Sequence, residues 1–298
     1  MIHKIIHISD IHIRTYKFHD EYKKVFENFY RDAKESIKDF EYNEVRLVIV
    51  GDIVHQKITI SNELMLFVAE FLNKCAEIAP VILVAGNHDL LETNKTRMDS
   101  LTPIIDLIKN PNINYLKESL CYEDENIIWC NYSIFDDNTR PPIEKAREKY
   151  SNKTFIGLFH APINGLKTDI GYKFENTTNL TYFEGCDMVM CGDIHKRGGL
   201  LLEETKEIEE SKLEKYKKMG WETDINNKII KKKIPIMMVG SLVQQNFGES
   251  IKSHGFLLWD VENKDFTEHD VENESLYYKF KIDSIECIKN DKERLMNG

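Results

Sequence analysis

Side chains that commonly bind divalent metal ions follow five apolar segments of this 298-residue chain. Each segment is a short run rich in β-branched residues, and aspartate, asparagine or histidine comes directly after it or closes it. The candidate metal ligands are Asp10, His12, Asp52, Asn87, His160, Asp193 and His195. Carboxylate, carboxamide and imidazole groups suit manganese, iron or zinc, and the lack of cysteine in this set argues against a structural zinc site. Two such metals can hydrolyse a phosphoester, so phosphoester hydrolysis is the chemistry we expect.

Each candidate also has a purely structural interpretation. Asp10 could be a loop carboxylate, Asp52 a turn residue after Gly51, and His160 a core histidine. Their joint occurrence at five predicted strand ends favours a single site. We expect these strands to belong to one sheet, because ligands bind beyond the carboxyl ends of the strands in such sheets.

The apolar segments themselves predict strands that are buried on both faces, at 4–9, 45–50, 81–85, 154–159 and 187–191. Helical spacing predicts helices at 21–38, 62–77 and 97–109, the second with Ser61 as its N-cap. Strands that alternate with helices indicate an α/β fold. A hairpin is predicted at 119–132, and strands return at 236–239 and 255–261.

Composition limits the possible classes of protein. A hydrophobic fraction of 42% over this length supports one large domain, or one with a small appendage. The net charge of −10 argues against broad, non-specific coating of DNA. The six cysteines include no Cys-x-x-Cys pair and predict buried free thiols. With no membrane span and no signal peptide apparent, we expect an intracellular protein.

The order of the motifs resembles the calcineurin-like metallophosphoesterase superfamily over about residues 1–260. The matching series is Asp-x-His, Gly-Asp, Gly-Asn-His-Asp, a lone His and Gly-x-x-His. The resemblance implies a layered β-sandwich flanked by helices, with the metal site at the carboxyl ends of the strands. It further implies that one metal is held by Asp10, His12, Asp52 and His195. The other would be held by Asp52, Asn87, His160 and the residue at 193.

Two neighbouring positions have implied roles besides metal binding. His88 would stabilise the transition state and protonate the leaving oxygen, and Asp89 would orient its loop. Position 193 departs from the family pattern, which is Gly-His-x-His, because Gly192 and His195 here enclose Asp193 and Ile194. An added carboxylate is a harder donor, so we expect two divalent ions, manganese first and magnesium as the alternative.

Within the superfamily the sequence resembles the SbcD-type nuclease subunit of the DNA double-strand-break repair complex. His55 lies three residues after Asp52, as in that family's second motif, and is implied to contact or position DNA. The segment 235–256 resembles the family's strand, Gly-Ser turn and Gly-Glu series. The implied function is manganese-dependent cleavage of DNA, as an exonuclease and single-strand endonuclease.

This resemblance also implies a domain arrangement and partners. Residues 1–265 would form the nuclease domain, with 203–233 as a charged, solvated insertion that runs from a helix into a strand edge. Residues 266–298, with a strand-like stretch at 275–280, would begin a truncated or reduced capping region. The implied partners are DNA and an SbcC-like coiled-coil ATPase. A homodimer is also implied, and Met65 and Leu66 could form part of its interface.

Six basic residues near the motif loops are candidate DNA contacts, although each could be an ordinary surface charge. They are Lys57, Lys95, Arg97, Lys167, Lys196 and Arg197. Two alternatives remain open. One is a phosphatase or cyclic-nucleotide phosphodiesterase on the same fold, and the other is a non-catalytic DNA-end scaffold for an ATPase.

Overall fold

The computed structural model describes residues 1–136, 139–207, 213, 221–224 and 229–278. The strands among them are β1 (Lys4–Ile8), β2 (Val45–Val50), β3 (Val81–Val84), β4 (Ile113–Tyr115), β5 (Cys121–Asp124), β6 (Ile127–Tyr132), β7 (Thr154–His160), β8 (Met188–Gly192), β9 (Gly198–Glu207), β10 (Glu222–Asp224), β11 (Ile229–Met238), β12 (Gly255–Asp260) and β13 (Asp265–Asp270). The helices are α1 (His19–Ser36), α2 (Asn62–Ile78), α3 (Leu101–Ile108) and α4 (Ile143–Lys149). Short 3₁₀ turns lie at Tyr16–Phe18, Tyr42–Glu44, Glu92–Asn94 and Leu180–Phe183.

These strands form two mixed sheets, which confirms the predicted α/β fold. The first has the order β13-β12-β1-β2-β3-β4, and the second has the order β10-β11-β8-β7-β6-β5 with β9 paired to β11. Strands β1 to β4 run parallel, as do β6, β7, β8 and the end of β11. The sheets pack face to face through one apolar layer, to which Val48 and Val50 contribute from one sheet and Leu158 and Met190 from the other.

The outer face of each sheet is covered as well. Leu47 and Ile49 of β2 point away from the sandwich and pack under α1 and α2. Every residue of β2 is therefore buried, which explains its unbroken apolar sequence. On the second sheet, Phe155 and Val189 pack with Ile143 of α4.

Helix α2 shows how the sequence directs this packing. The Ser61 hydroxyl accepts a hydrogen bond from the Leu64 backbone amide at 3.3 Å, as an N-cap does. The apolar stripe from Leu64 to Cys75 is buried, and Phe71 meets Phe26 of α1 with ring centroids 4.4 Å apart. The predicted helix and its cap are confirmed.

The charged segment at 203–233 differs from its prediction. Residues 203–207 belong to β9, which pairs with β11 from Gly198 opposite Met238 onwards, so the predicted helix is wrong there. Lys232 is 4% exposed, so this part is not simply solvated. Residues 208–212, 214–220 and 225–228 of the segment lie outside the described residues.

The end of the chain also differs in part. Strand β13 pairs with β12 from Asp265 to Asp270, so the first sheet continues past the predicted boundary at residue 265. Residues 275–278 are not a strand, and 279–298 lie outside the described residues. The hairpin at 119–132 is confirmed as β5 and β6.

The cysteines agree with the prediction as far as they are described. Cys75, Cys130, Cys186 and Cys191 are buried free thiols, and Cys121 is a half-buried one. Cys287 lies outside the described part of the chain. No helix in the described ranges combines the length and the apolar character that crossing a membrane requires.

Candidate metal centre

The seven candidate ligands converge where the two sheets meet. Asp10 and His12 follow β1, and Asp52 and Asn87 follow β2 and β3, all in the first sheet. His160 ends β7, and Asp193 and His195 follow β8, in the second sheet. The strand-end principle was correct, but the expectation of a single sheet was wrong. The site lies across the carboxyl ends of two packed sheets.

One group of ligands surrounds His12. Its Nε2 lies 3.0 Å from Nε2 of His195 and 3.4 Å from Oδ2 of Asp52. Nε2 of His195 lies 3.7 Å from Oδ1 of Asp10. The potential ligand atoms of Asp10, His12 and His195 all lie within 4.8 Å of one another, which is compact enough to hold one cation.

The second group surrounds His160. Its Nε2 lies 3.3 Å from Oδ1 of Asp52 and 4.0 Å from Oδ1 of Asp193. Oδ1 of Asn87 lies 3.4 Å from Nε2 of His160, and rotating this carboxamide by half a turn would let its amide nitrogen donate to both Asp52 oxygens at 3.1 Å. Asp52 thus faces His12 with one oxygen and His160 with the other, which is the position of a bridging ligand.

The charge of the site fits divalent cations. Asp10 and Asp52 are buried and Asp193 is nearly so, and three carboxylates this close need compensating positive charge. Burial raises the pKa of Asp10 to about 6. Burial alone would lower the pKa of His160, but Asp52 and Asp10 outweigh it and raise that pKa well above its usual value. Imidazole protons and bound cations are therefore alternative ways to balance this donor set.

The backbone at the ligands is strained. Asp10, His12, Asp52 and Asp193 have φ values of 52°, 48°, 56° and 87°. Residues other than glycine occupy this left-handed region only at a cost, and such positions concentrate at functional sites. The neighbouring Gly51 has φ 79°, and a Cβ atom there would collide with the His160 imidazole. The tight approach of β2 to β7 therefore requires glycine at this position.

Polar groups behind the ligands fix their orientation. Nδ1 of His160 donates to the Val50 carbonyl oxygen at 2.6 Å, which leaves Nε2 directed into the site. Nδ1 of His195 lies 2.7 Å from Oε1 of Glu249. Oε2 of Glu249 accepts a hydrogen bond from the backbone amide of Gln245 at 2.7 Å, so this carboxylate is itself held in place.

Asp89 ties the second and third motif loops together. Its Oδ1 accepts from the backbone amides of Ile53 and Val54 at 3.0 Å each, and its Oδ2 accepts from Gly86 at 2.9 Å. The side chain is fully buried, and burial raises the pKa of Asp89 to about 7. The structure thus agrees with the loop-orienting role inferred for Asp89.

His88 and His55 lie beside the ligands as a stacked pair. Their ring centroids are 5.3 Å apart at an interplanar angle of 24°. Nδ1 of His88 donates to the backbone oxygen of His55 at 2.7 Å, so Nε2 is the atom free to act on a substrate. The His12 ring meets the edge of His88 at 4.7 Å between centroids.

Comparison with known proteins agrees with this geometry. The model of the family described as "Metallophos: Calcineurin-like phosphoesterase" matches residues 3–197, about two thirds of the chain. The chain belongs to the calcineurin-like phosphoesterase family. Membership of this family implies a metal-dependent hydrolase whose site lies at the strand ends.

Individual relatives add less information about function than the family does. An uncharacterized protein of Acanthamoeba polyphaga mimivirus is 37% identical over 285 residues, covering 93% of this chain. The chain spans 19% of that protein's length. NAD nucleotidase of Haemophilus influenzae aligns with 99% of this chain and 56% of its own at 12% identity and a TM-score of 0.43. A protein of unknown function from Aquifex aeolicus aligns with 65% of this chain and 80% of its own, at 17% identity and a TM-score of 0.27.

The six basic candidates are dispersed around this phosphoesterase centre. Lys196 is exposed beside His195, 3.8 Å from Asp169, while Arg97 and Lys167 lie on exposed loops. Lys57 pairs with Glu92 at 2.8 Å. Lys95 donates to the Ile134 carbonyl oxygen at 2.5 Å.

Arg197 lies elsewhere than its sequence position suggests. Its side chain is 4% exposed, and its guanidinium pairs with Asp270 at 2.7 Å and Glu268 at 3.3 Å on β13. A DNA contact would require Arg197 to leave these partners. Its observed contacts join the end of β8 to the edge of the first sheet.

The sequence analysis missed the residues that support the ligands. Glu249 lies 54 positions from His195. Its only signal in the sequence was the Gly248-Glu249 pair in the segment 235–256, which resembles the family. The Val50 carbonyl has no signal in the sequence, because a backbone oxygen is common to every residue type. Lys252, which lies beside Lys196 in a surface cleft, was also not singled out.

Proposed function

We propose that this chain is a metal-dependent phosphodiesterase that cleaves DNA, of the SbcD nuclease type, with manganese as its working ion. The observation that supports a polymeric substrate is a row of three cavities that share lining residues at the metal centre. The first, of about 880 Å³, is lined by Asn87, His160 and Asp193. The second, of about 240 Å³, shares Asp193 with the first and continues past His195.

The third cavity carries the row further. It has a volume of about 220 Å³ and shares Asp169, His195 and Lys196 with the second. Lys252 lines it as well, so basic side chains lie at this end of the row. A phosphatase that accepts a terminal phosphate needs space on one side of its metals, whereas a diester within a strand needs space on both sides. This row therefore favours a diester of nucleotides.

The side chains have distinct tasks in such a reaction. Divalent cations at this kind of site supply charge neutralisation at the phosphoryl oxygens and a nucleophilic water. Asp52 joins the two ligand groups and sets their spacing. His88 donates from Nδ1 to the His55 carbonyl oxygen, so its imidazolium form, with a second proton on Nε2, is the one that would hydrogen-bond a phosphoryl oxygen or protonate the leaving oxygen.

Two partner assignments accompany this proposal. A homodimer would use α2 and α3, where Leu66 and Leu107 are both 72% exposed. An SbcC-like coiled-coil ATPase would supply the larger assembly. Both follow from the sequence resemblance, and sedimentation of the purified chain together with a binding assay on such an ATPase would test them separately.

The proposed activity is tested by incubating the chain with end-labelled single- and double-stranded DNA in manganese, magnesium or chelator. The decisive variant is His88→Asn. Its matched control is His3→Asn, because His3 precedes β1 and lies at the end of this strand that is away from the metal centre. We expect manganese-dependent cleavage that His88→Asn reduces at least about 100-fold and His3→Asn leaves unchanged, as loss of a positioned acid–base group predicts.

The other outcomes distinguish the alternatives. Hydrolysis of p-nitrophenyl phosphate with DNA left intact would assign a phosphatase, and hydrolysis of cyclic nucleotides alone would assign that class of phosphodiesterase. Tight DNA binding without cleavage in any metal would assign a scaffold. Each of these results would overturn the nuclease proposal.

A further inference from the structure

The cavity at Asn87, His160 and Asp193 extends well beyond these candidate metal ligands. From Asn87, His160 and Asp193 it runs along Pro162 to an aromatic wall at Tyr182. Its volume of about 880 Å³ exceeds what one phosphate group needs and is ample for a nucleotide. The proposed function uses only the end at the metal ligands, so the remaining space has no assigned role.

The aromatic wall is built by three rings from different segments. The Tyr182 ring is half-buried, with its centroid 5.0 Å from that of Tyr132 and 6.3 Å from that of Phe159. Tyr132 and Phe159 are buried and meet edge to face, with centroids 6.1 Å apart. Tyr182 is thus the least buried ring of a packed cluster, and this cluster lines the cavity.

The backbone that carries Tyr182 is held from two sides. The Tyr132 hydroxyl donates to the Tyr182 carbonyl oxygen at 3.2 Å, and Nε of Arg140 donates to the same oxygen at 3.0 Å. Arg140 also donates to the carbonyl oxygen of Glu184. These bonds fix the 3₁₀ turn Leu180–Phe183, so the ring position is set before any ligand binds, which lowers the entropic cost of binding.

The charges in the cavity indicate which part of a substrate fits there. Glu92 and Asp136 line its wall together with Lys95 and Arg140, and the guanidinium of Arg140 is already bonded to backbone oxygens and to Glu144. This part of the wall therefore has no net positive charge to attract a second phosphate, whereas an uncharged base needs none. A flat ring beside a phosphate site is the arrangement by which proteins bind nucleic-acid bases through stacking.

We propose that Tyr182 is the platform of a nucleobase subsite, on which the base of the nucleotide next to the reacting phosphate stacks. This proposal rests on the proposed function, because it assigns a nucleotide as the occupant of that same site. Stacking stabilises a bound base with little dependence on base identity. The subsite would therefore select nucleotides over other phosphodiesters without strong preference among the bases.

The test compares two diesters with the same leaving group. One is thymidine 5′-(p-nitrophenyl phosphate), and the other is methyl p-nitrophenyl phosphate, which has no base. Tyr182→Leu keeps apolar bulk against Tyr132 but removes the flat ring, and Tyr182→Phe keeps the ring. Tyr16→Ala is the control, because Tyr16 is 70% exposed and does not line the cavity.

We expect Tyr182→Leu to raise KM for the thymidine ester about 10-fold and to leave methyl ester hydrolysis unchanged, as the loss of one stacked base predicts. Tyr182→Phe and Tyr16→Ala should resemble the wild type with both esters. Equal losses on the two esters, or equal losses in the Leu and Phe variants, would overturn the subsite.

Calorimetric titration with thymidine 5′-monophosphate, in the presence of chelator, separates this proposal from the nuclease proposal. Weaker binding in Tyr182→Leu but not in Tyr182→Phe supports the subsite even if neither ester is hydrolysed, in which case only the diesterase proposal fails. Binding that is identical in the wild type and Tyr182→Leu would overturn the subsite while the activity proposal could stand.

Discussion

At the scale of single residues, the metal centre depends on carboxylates that orient its candidate ligands. Glu249 contacts Nδ1 of His195 through Oε1 and the Gln245 amide through Oε2. A carboxylate in this position fixes the ring and increases the basicity of the nitrogen that binds metal. His195 therefore depends on Glu249 for its metal-binding geometry.

We expect Glu249→Gln to weaken manganese binding about 10- to 100-fold, which is the usual effect of losing such a supporting carboxylate. Isothermal titration calorimetry with manganese measures it. Glu274→Gln, at an exposed glutamate paired with Lys24, is the matched control and should bind as the wild type does. Unchanged affinity in Glu249→Gln would show that His195 holds its orientation without this contact.

Asp89 gives a second prediction at this scale. In Asp89→Asn, the side-chain NH₂ group would point at one of the three backbone N–H groups from which the carboxylate now accepts hydrogen bonds. A buried donor without a partner costs about 1–3 kcal/mol. Urea unfolding in chelator should show a loss of that size. Asp20→Asn, at a highly exposed aspartate of α1, should unfold as the wild type does. Equal stability of both variants would contradict the role of Asp89 as the tie between the loops.

At the scale of elements, a buried ion group within the second sheet joins β11 to the start of β8 and to α4. Asp187, just before β8, pairs with Lys232 of β11 at 2.6 Å and with Arg147 of α4 at 2.7 Å. Burial alone would raise the pKa of Asp187, but Lys232, Arg147 and Lys264 outweigh it and hold that pKa at about 2. The Asp187 carboxylate thus joins β11, α4 and the start of β8.

This ion group predicts a pH dependence of stability. In the unfolded chain the Asp187 carboxyl returns to its ordinary pKa of 3.8, so the folded state binds its proton less tightly. The stabilisation is complete above about pH 5 and falls as the pH is lowered toward 2, by about 2 kcal/mol in total.

Denaturant unfolding at pH 6, 4 and 2.5 measures this effect. The difference in the free energy of unfolding between the wild type and Asp187→Asn should shrink as the pH falls, because acid removes from the wild type what the variant already lacks. Asp265→Asn, at the exposed first residue of β13, is the control. A difference that stays constant across this range would contradict the assignment of the low pKa to Asp187.

At the scale of the whole molecule, the ligands come from both sheets, so bound cations should stabilise the entire sandwich. A ligand that binds only the folded state stabilises it by about 2.7 kcal/mol at 100 times its dissociation constant. We expect manganese to raise Tm relative to chelator by several degrees. Asp52→Asn, which removes the shared carboxylate charge, should lose most of this increase, whereas Glu274→Gln should keep it. A manganese effect of equal size in Asp52→Asn would place the stabilising ions elsewhere.

The sequence predicts the ligands better than what surrounds them. Asp10, Asp52 and His160 were identified because buried parallel strands are continuous apolar runs, and their ends are therefore visible in a single chain. The sequence did not show which strands belong to which of the two sheets, because β2 and β7 have the same apolar pattern. The sequence reveals strand ends but not which strands are neighbours.

The errors share one physical cause, which is pairing between distant segments. The charged segment at 203–233 suggested a solvated insertion that runs from a helix into a strand edge, but Asp187 compensates the charge of Lys232 from 45 positions away and allows Lys232 to be buried. Tyr132 and Tyr182 belong to separate segments, so no local pattern could indicate a shared aromatic wall. Arg197 follows a ligand in sequence yet points to β13.

The position of β1 has a consequence for how the molecule forms. This strand lies between β2 and β12, and Lys4 pairs with Asp260, 256 residues further along the chain. Such distant pairing slows folding, because the intervening chain must be closed before the contact forms. During synthesis β1 would wait with one edge uncovered until β12 emerges, and an uncovered edge invites pairing with other chains. The first strand to carry candidate ligands is therefore also open to pairing with other chains until β12 is made, and expression at low temperature should favour native protein.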